Sequence, residues 1–278
     1  MNKLHHHHSY QNILKTLAID CAQCSGLCCT ALYFAKSEGF PADKPAGKPC
    51  SHLLPDFRCA VHDDLIPRKL KGCLTYDCFG AGQKTTQGAD ALKNWKTHPE
   101  IAPQLFRVFL LITRFHQMLW YLIEAASLTD DRYLRATIDA LIHENETITA
   151  LFPEALLAFD IDAYQTRVNA VLKKVSQHVA VLFKHPKHKK PPIDCIGKNL
   201  KKSNQSGQDF SMCLLISTDL SGANLYGTNF LGADLRDTRL HDTDLSESLF
   251  LTQGQINAAK GNTHTCLPEM LKRPFTWV

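Results

Sequence analysis

An apolar residue that returns at every fifth position constrains this chain more than any other feature. The central positions from 210 to 250 are, in order, Phe210, Leu215, Leu220, Leu225, Phe230, Leu235, Leu240, Leu245 and Phe250. Two residues before each centre from Leu215 onward, the side chain is small: Cys213, Thr218, Ala223, Thr228, Ala233, Thr238, Thr243 and Ser248. A helix repeats near 3.6 residues and a strand at 2, so a strict five belongs to neither. The spacing therefore predicts a repeat whose units stack on one another.

Two of these units carry a recognisable motif, Ala-Asn-Leu-Tyr-Gly at 223–227 and Ala-Asp-Leu-Arg-Asp at 233–237. They resemble the pentapeptide-repeat family. The resemblance implies a right-handed quadrilateral β-solenoid over residues 195–250, with four pentapeptides per coil and the central and small side chains inside. The series of central positions extends back to Leu200 and Gln205. Gln205 would bring a polar side chain into the interior of the first coil. Residues 251–278 break the register, and we expect a capping helix followed by an extended tail.

The segment 100–184 has the spacing of a helical bundle. Its first apolar stripe, at three- and four-residue intervals, is Leu105, Val108, Phe109, Ile112, Phe115, Leu119, Leu122 and Ile123. A second helix is expected after Thr129-Asp130-Asp131, and Pro153 marks the start of a third. A last helix is predicted from the stripe Val168, Val171, Leu172, Val175, Val179 and Leu182. The lone histidines His116, His143 and His178 are interpreted as surface or core residues, and 185–194 as a basic Pro/Lys linker.

Eight of the eleven cysteines lie in residues 10–95, which we predict to be a loop-rich metal-binding domain. They are Cys21, Cys24, Cys28, Cys29, Cys50, Cys59, Cys73 and Cys78. Closely spaced thiols followed by further thiols some way along the chain are typical of soft-metal sites. The glycines and prolines of this segment favour loops, so a metal would supply part of the folding free energy. His52 and His62 lie beside cysteines and could replace a thiol.

The metal is either zinc, in closed four-thiolate sites, or iron, which could form an iron–sulfur cluster. Zinc is slightly favoured because no spacing is similar to that of a ferredoxin. The alternative is that the cysteines are buried or redox-active thiols without a metal. The constellation from Cys21 to Cys78, with its adjacent pair Cys28-Cys29, is similar to a family of bacterial proteins described as zinc- or iron-chelating. The resemblance implies a bound metal, and some relatives are tied to methylation of flagellin lysines. Only Val61-His62 and Ile66-Pro67-Arg68 approximate that family's aromatic, arginine and proline positions.

The location expected for the chain is the cytoplasm. No apolar stretch of export-signal type precedes Cys21, and His5–His8 are interpreted as a tag remnant outside the site. The longest apolar stretch, 101–126, contains Arg107 and Arg114, which a membrane span rarely tolerates. In a reducing compartment, clustered cysteines favour metal ligands over disulfides.

Three functions are compatible with these features, and the sequence identifies no catalytic residues. The first is a metal-binding scaffold that presents the repeat to a protein partner. The second is a metal-dependent enzyme that modifies a peptide or protein at the cysteine centre. The third is protection of a gyrase-type topoisomerase by DNA mimicry, which is disfavoured because just under three coils at about 4.8 Å each are too short to imitate a duplex. The net charge of +4 gives no reason to expect nucleic acid as a partner.

Overall fold

The computed structural model describes residues 10–88, 94–183 and 191–278, and these form two units. The first unit comprises Met1–Cys73 and Asp77–Leu172, and the second comprises Leu74–Tyr76 and Lys173–Val278. His5–His8 and residues 185–190 of the expected linker lie outside the described residues.

Nine α-helices lie in the described part of the chain. They are α1 (Gln11–Leu17), α2 (Leu27–Ala31), α3 (Lys71–Thr75), α4 (Ala81–Thr86), α5 (Ala102–Ser127), α6 (Arg132–Ile148), α7 (Pro153–Ala158), α8 (Ile161–Phe183) and α9 (Gln253–Ala258). Short 3₁₀ turns accompany them, at Cys21–Gln23, Lys36–Glu38, His62–Asp64 and Pro99–Ile101. Among the described residues, no helix combines the length and apolar character that a membrane crossing requires.

Helix α5 is the centre of the first unit, and its apolar stripe forms the core. Val108, Phe109, Ile112, Phe115, Leu119, Leu122 and Ile123 are all buried, as the spacing predicts, and Leu105 is half-buried. Helices α4, α6 and α7 pack against α5. The stripe of α8 is buried from Val168 to Val179, but Leu182, assigned to the same stripe, is 57% exposed.

The predicted helix starts are confirmed by the local hydrogen bonds. Asp131 precedes α6, and its carboxylate accepts hydrogen bonds from the N–H groups of Tyr133 and Leu134. These two donors have no partner within the helix, so the cap satisfies them. Pro153 is the first residue of α7, where its missing N–H costs nothing.

A buried polar network joins three helices of the first unit. The Asn145 side-chain amide donates to the Phe115 carbonyl at 3.0 Å and to the Tyr164 hydroxyl at 3.2 Å. The hydroxyl in turn donates to the Leu141 carbonyl at 2.9 Å. Asn145 and Tyr164 are completely buried, so burial raises the pKa of Tyr164 to about 12 and the phenol stays a donor. The network therefore fixes the positions of α5, α6 and the start of α8 relative to one another.

Tyr164→Phe is expected to destabilise the first unit by about 1–2 kcal/mol, because the Leu141 carbonyl and the Asn145 side-chain amide each lose a hydrogen-bond partner in a buried place. The measurement is the free energy of unfolding from urea titration. Tyr133→Phe is the matched control, since Tyr133 is 89% exposed and should change stability by less than about 0.5 kcal/mol. Equal effects of the two substitutions would contradict a structural role for the Tyr164 hydroxyl.

The second unit contains a stack of 20-residue coils, here called the repeat stack (residues 194–250). Backbone bridges join residues 20 apart, for example Asn199 with Asp219 and Asn224 with Asp244, and all of these are parallel. The N–H of Leu200 donates to the Asp219 carbonyl at 2.8 Å, and the pattern continues along the stack. Four pentapeptides therefore make one coil.

The prediction of a β-solenoid was wrong: in the described residues the repeats form no β-strand and no sheet, only isolated single-residue bridges. The physical reason lies in the pentapeptide itself. Two residues of each unit form a turn. Several of these turn residues have positive φ, such as Ser217 at 57° and Gly222 at 63°. Side chains such as that of Asn224 close these turns by accepting the N–H two residues on. In each unit a single residue forms a backbone bridge, and the turns on either side prevent these bridges from joining into a ladder.

The interior of the repeat stack is filled as the five-residue period suggests. All nine central residues are at most 2% exposed, and the small positions from Cys213 to Ser248 are at most 4% exposed. Gln205 is half-buried, and its amide donates to the Ser203 hydroxyl at 3.0 Å. The polar side chain at this central position therefore has a neighbouring side chain as its hydrogen-bond partner.

The small interior residues with hydroxyls also bond the coils together. Five of them donate to the backbone carbonyl 23 residues earlier: Thr218 to Cys195, Thr228 to Gln205, Thr238 to Leu215, Thr243 to Leu220, and Ser248 to Leu225. A buried hydroxyl without a partner would be costly, and these bonds remove that cost.

The expected capping helix is α9, which follows the last central residue. Thr252 and Gln255 form a reciprocal capping box at its start. The Gln255 amide also donates to the carbonyls of Phe230 and Ala233 at 2.9 and 2.8 Å. The helix thereby pairs carbonyls at the end of the repeat stack.

Candidate metal centre

The eight predicted cysteines all lie in the described residues, and all are free thiols. Cys21 lies in the first 3₁₀ turn, Cys28 and Cys29 lie on α2, and Cys73 lies on α3. Cys24, Cys50, Cys59 and Cys78 lie in the connecting loops, with Cys78 shortly before α4. Their electrostatic neighbours group them around two sets of four, with Cys29 a neighbour of residues in both sets.

The first set is Cys21, Cys24, Cys28 and Cys78. Burial raises the pKa of Cys21 to about 11, and Cys24, Cys78 and Cys29 raise it further as neighbouring thiols. Cys28 likewise has Cys24 and Cys78 as electrostatic neighbours, beside the adjacent Cys29. A Cβ added to Gly82 would lie 2.6 Å from the Cys24 sulfur and 4.0 Å from the Cys78 sulfur. A side chain at this position would clash with the Cys24 sulfur, so Gly82 leaves room for Cys24 against α4.

Backbone N–H groups donate to the sulfurs of Cys24 and Cys78. Burial raises the pKa of Cys24, and the N–H groups of Leu27 and Gly26 oppose that shift. At Cys78 the opposing donors are Gly82 and Gly80. Gly26 and Gly80 have φ of 68° and 72°, a conformation that glycine adopts without strain. N–H donors aimed at a sulfur stabilise the thiolate, which is the form that binds metals.

The second set is Cys29, Cys50, Cys59 and Cys73. Burial raises the pKa of Cys73 to about 12, and Cys29, Cys59 and Cys50 raise it further as neighbours. The N–H of Cys50 donates to the Cys29 carbonyl at 2.9 Å, and Cys59 forms an antiparallel bridge with Leu53. Cys50, Cys59 and Cys73 pack against one apolar cluster made of Phe34, Phe40, Val61 and Leu70. This cluster holds three separate chain segments together.

Cys28 and Cys29 connect the two sets. Their sulfurs are 3.9 Å apart on α2. The hydrogen bond between them raises the pKa of Cys28 and lowers that of Cys29, so Cys29 is the thiol of the pair that ionises more readily. Adjacent residues on a helix point about 100° apart, so the two thiols can serve different sets.

Lys44 is a functional candidate that sequence reasoning missed. Its ammonium lies within 2.5–3.2 Å of four backbone carbonyls, those of Thr30, Leu32, Pro45 and Lys48. Its charge also helps to lower the pKa of Cys29, after the Cys28 hydrogen bond and against burial. The residue therefore ties the loop after α2 together and compensates thiolate charge. A lysine in a proline-rich loop gives no sequence signal for either role.

The thiols of each set lie near one another, but their sulfurs do not surround a common point. Among the described residues, no three His, Cys, Asp or Glu side chains converge closely enough to hold an ion as they stand. The two predicted substitutes, His52 and His62, do not complete a set either. His62 is exposed and its imidazole faces Asp63 at 3.4 Å. Thiols are suitable ligands for a soft metal. The sulfurs would have to move closer together to bind one.

A cavity of about 810 Å³ lies beside the first set, and Cys24 is among its lining residues. One wall is the N-terminal half of α5, with Leu105, Val108 and Ile112. Another is Thr85 and its neighbours at the end of α4. The sequence contains no motif for this cavity, because its walls come from separate parts of the chain.

Comparisons with known proteins identify a repeat family in the C-terminal part and a relative over nearly the whole chain. The family model for pentapeptide repeats matches residues 213–250 with eight copies, which confirms the pentapeptide-repeat prediction for those residues. The matched range lies outside the cysteine-rich part. No solved structure matches the chain. The chain is similar to the uncharacterized protein YybG of Bacillus subtilis (strain 168), with 40% identity over 271 residues that cover 96% of this chain and 97% of the relative. The chain therefore belongs to the same family as YybG, and its C-terminal part carries pentapeptide repeats.

Proposed function

We propose that this protein is a metal-binding scaffold whose cysteine-rich part holds zinc or iron and whose repeat stack presents a surface to a protein partner. The observation that carries the metal is the clustering of eight free thiols around two sets of four, which Cys28 and Cys29 connect. Four thiolates complete a tetrahedral zinc site or ligate one iron–sulfur cluster. Buried thiols with raised pKa values are protonated at neutral pH, so a cation is what would make them thiolates.

In this arrangement each set would hold one centre. Cys21, Cys24, Cys28 and Cys78 would ligate the first, and Cys29, Cys50, Cys59 and Cys73 the second. The N–H groups of Gly26, Leu27, Gly80 and Gly82 would stabilise thiolate charge in the first set, as outer donors do in metal sites. Lys44 would offset the negative charge near Cys29. The metal would supply folding free energy to a segment with little regular structure.

The experiment is metal analysis of protein purified anaerobically, with His5–His8 replaced by serine so that this run cannot bind metal. About two equivalents of zinc, or iron with a visible chromophore, are expected for two four-thiolate sites. Cys28→Ser should lower the content to about one equivalent, because only the first set loses a ligand. Cys266→Ser is the matched control, since Cys266 is exposed and outside both sets. Metal-free protein, or the same loss in both variants, would refute the proposal.

The partner in this proposal is a protein because exposed apolar side chains lie at the start of the repeat stack. Ile193 and Met212 are each 69% exposed, Ile196 is 49% exposed and Leu214 is 37% exposed. Exposed apolar residues rimmed by polar ones are typical of protein interaction sites. A photo-crosslinking amino acid at position 212 should give one adduct in cells that Ile193→Lys abolishes, with position 133 on α6 as the control. Adducts that Ile193→Lys leaves unchanged would count against this surface.

A second candidate, a metal-dependent enzyme that modifies a peptide or protein, is favoured by one observation: Cys24 lines the cavity. A metal held by the first set could then be reached by a substrate. Substitution with cobalt distinguishes the candidates, because a closed four-thiolate site has no position for another ligand. In the scaffold, the visible spectrum of the cobalt protein should not change on addition of azide. A change that Cys28→Ser removes would favour the enzyme.

A further inference from the structure

Two sides of the first coil of the repeat stack, residues 193–197 and 198–202, expose positions that are buried in later coils. The small positions lie between coils, so Cys213 is 3% exposed and Thr218 is completely buried. The corresponding residues 20 positions earlier are Ile193, which is 69% exposed, and Lys198, which is also exposed. Leu200 is half-buried, whereas every central residue from position 210 to position 250 is at most 2% exposed. The first coil therefore has an uncovered surface where later coils contact the coil before them.

The backbone of these two sides has an open edge. In the second coil, Asp219 donates its N–H to the Lys198 carbonyl at 2.9 Å and accepts from the Leu200 N–H at 2.8 Å. Asn199 is the corresponding residue of the first coil, so its N–H and carbonyl face away from the second coil. Within the described ranges of the chain, neither group has a hydrogen-bond partner, and the same is true of the backbone N–H and carbonyl of Asp194. An edge of this kind is a template for pairing with another chain.

The opposite end of the repeat stack is covered by the chain itself. In the last coil, the N–H groups of Leu240 and Leu245 donate to the carbonyls of Lys260 and Cys266 at 2.7 and 2.9 Å. Helix α9 pairs further carbonyls at this end. Of the two described ends, only the first coil is therefore open to a second copy, and such contact gives a closed twofold dimer instead of a filament.

The backbone edge of the first coil is complementary to itself. Two coils related by a twofold axis perpendicular to the stack run antiparallel where they meet. In an antiparallel pair, opposed residues exchange both of their N–H···O=C hydrogen bonds. Asp194 and Asn199 each present both groups on the open edge. Asp194 of one copy can therefore pair with Asn199 of the other, twice in each dimer.

The charges of the two sides are complementary in the same arrangement. The side 193–197 has one charged residue, Asp194, and the side 198–202 has three, Lys198, Lys201 and Lys202, all of them exposed. A twofold axis at the corner between these sides places each side opposite the other side of the second copy. The Asp194 carboxylate then faces ammonium groups, which favours this orientation over one that sets the lysines against each other.

We infer that the protein forms a homodimer through the first coils of two repeat stacks, with the Asp194 side of each copy on the lysine side of the other. Ile193 and Ile196, which are 69% and 49% exposed, would be covered in this contact, as apolar residues at the core of an interface usually are. The inference deepens the proposed function and rests on it, because it identifies the protein partner of the repeat stack as a second copy of this chain.

Sedimentation equilibrium of the whole protein should show a species with twice the mass of one chain. Asp194→Arg should raise the dissociation constant about tenfold or more, because it sets a cation against the lysine side of the other copy. The triple variant Lys198→Asp, Lys201→Asp, Lys202→Asp should do the same through repulsion between carboxylates. An equimolar mixture of the two variants should form a heterodimer, because every charged contact between them is attractive. Glu269→Arg is the matched control, since it makes the same change of charge at an exposed position of the tail.

The repeat itself carries Arg239 and Asp242 at the same positions of a later pentapeptide as 194 and 202, so these charge reversals are compatible with the fold. Hydrogen exchange supplies an independent check, because the backbone N–H groups of Asp194 and Asn199 should be protected only in the dimer. Wild-type protein that stays monomeric, or variants that fail to restore a dimer when mixed, would overturn the inference. A monomer that still holds metal and gives an adduct with a different protein at position 212 would refute the dimer and leave the proposed function standing. A dimer that purifies without metal would support the dimer and refute the metal site.

Discussion

Replacing Phe230 by alanine is expected to lower the stability of the second unit by about 3–5 kcal/mol, the cost of deleting a large ring from a closed core. Phe230 is completely buried in the repeat stack, and its ring is stacked on that of Phe210 with centroids 5.9 Å apart. The coils on either side are tied to one another by backbone and hydroxyl hydrogen bonds, so they cannot collapse into the space. The loss should therefore approach the full cavity cost.

Urea unfolding combined with hydrogen exchange of peptides from the repeat stack measures this effect. Exchange should accelerate in residues 205–250 and stay unchanged in α5, which lies in the other unit. Ile193→Ala serves as the control, because Ile193 is 69% exposed and its truncation leaves no cavity. A loss below about 1 kcal/mol in Phe230→Ala would show that the repeat interior is loosely packed.

The first unit is expected to lose about 3 kcal/mol of stability between pH 6.5 and pH 4 because of His116. This side chain is 4% exposed on α5, and its Nδ1 lies 2.7 Å from the Phe79 carbonyl, to which it donates. Burial lowers its pKa to about 4, against the Phe79 hydrogen bond and with help from Lys84. Below pH 6.5 the unfolded chain takes up a proton that the folded chain refuses. Stability is therefore fully present above pH 6.5 and falls as the pH approaches 4.

His116→Asn tests this assignment, because an asparagine amide can donate to the Phe79 carbonyl but does not titrate. The free energies of unfolding of both proteins are compared at pH 7 and pH 4.5, with metal removed by chelation so that thiol protonation does not enter. The pH dependence should be smaller in the variant by most of the His116 contribution. Parallel curves for the two proteins would mean that other groups cause the acid sensitivity.

The sequence predicted the periodic parts of the molecule well. Residues such as Phe115 on α5 and Leu225 in the repeats follow fixed spacings, and both are buried as expected. Periodicity works here because one repeating backbone geometry brings every such side chain to the same face. Periodicity did not predict that the coils pair through isolated bridges instead of strands. The extended part of each pentapeptide is too short to form a strand. That limit depends on turn geometry at residues such as Ser217.

The cysteine arrangement could be predicted only in part. The spacing marks all eight residues, but their grouping depends on α2, which places the Cys28 and Cys29 sulfurs side by side, and on Gly82, which leaves room for the Cys24 sulfur. Neither effect is periodic or local in sequence. The same holds for Lys44, which finds its four carbonyls only after the loop has folded.

The interior hydroxyl bonds give the repeat stack a direction. Each of the five donates backward along the chain, to a carbonyl 23 residues earlier. The five acceptors all lie on the five-residue spacing, so an inserted pentapeptide that follows the repeat pattern still leaves such a carbonyl 23 residues before every later hydroxyl. An insertion of any other length would place a different backbone group opposite the hydroxyls just after it. The stack can therefore lengthen in evolution by single pentapeptides without losing these hydrogen bonds.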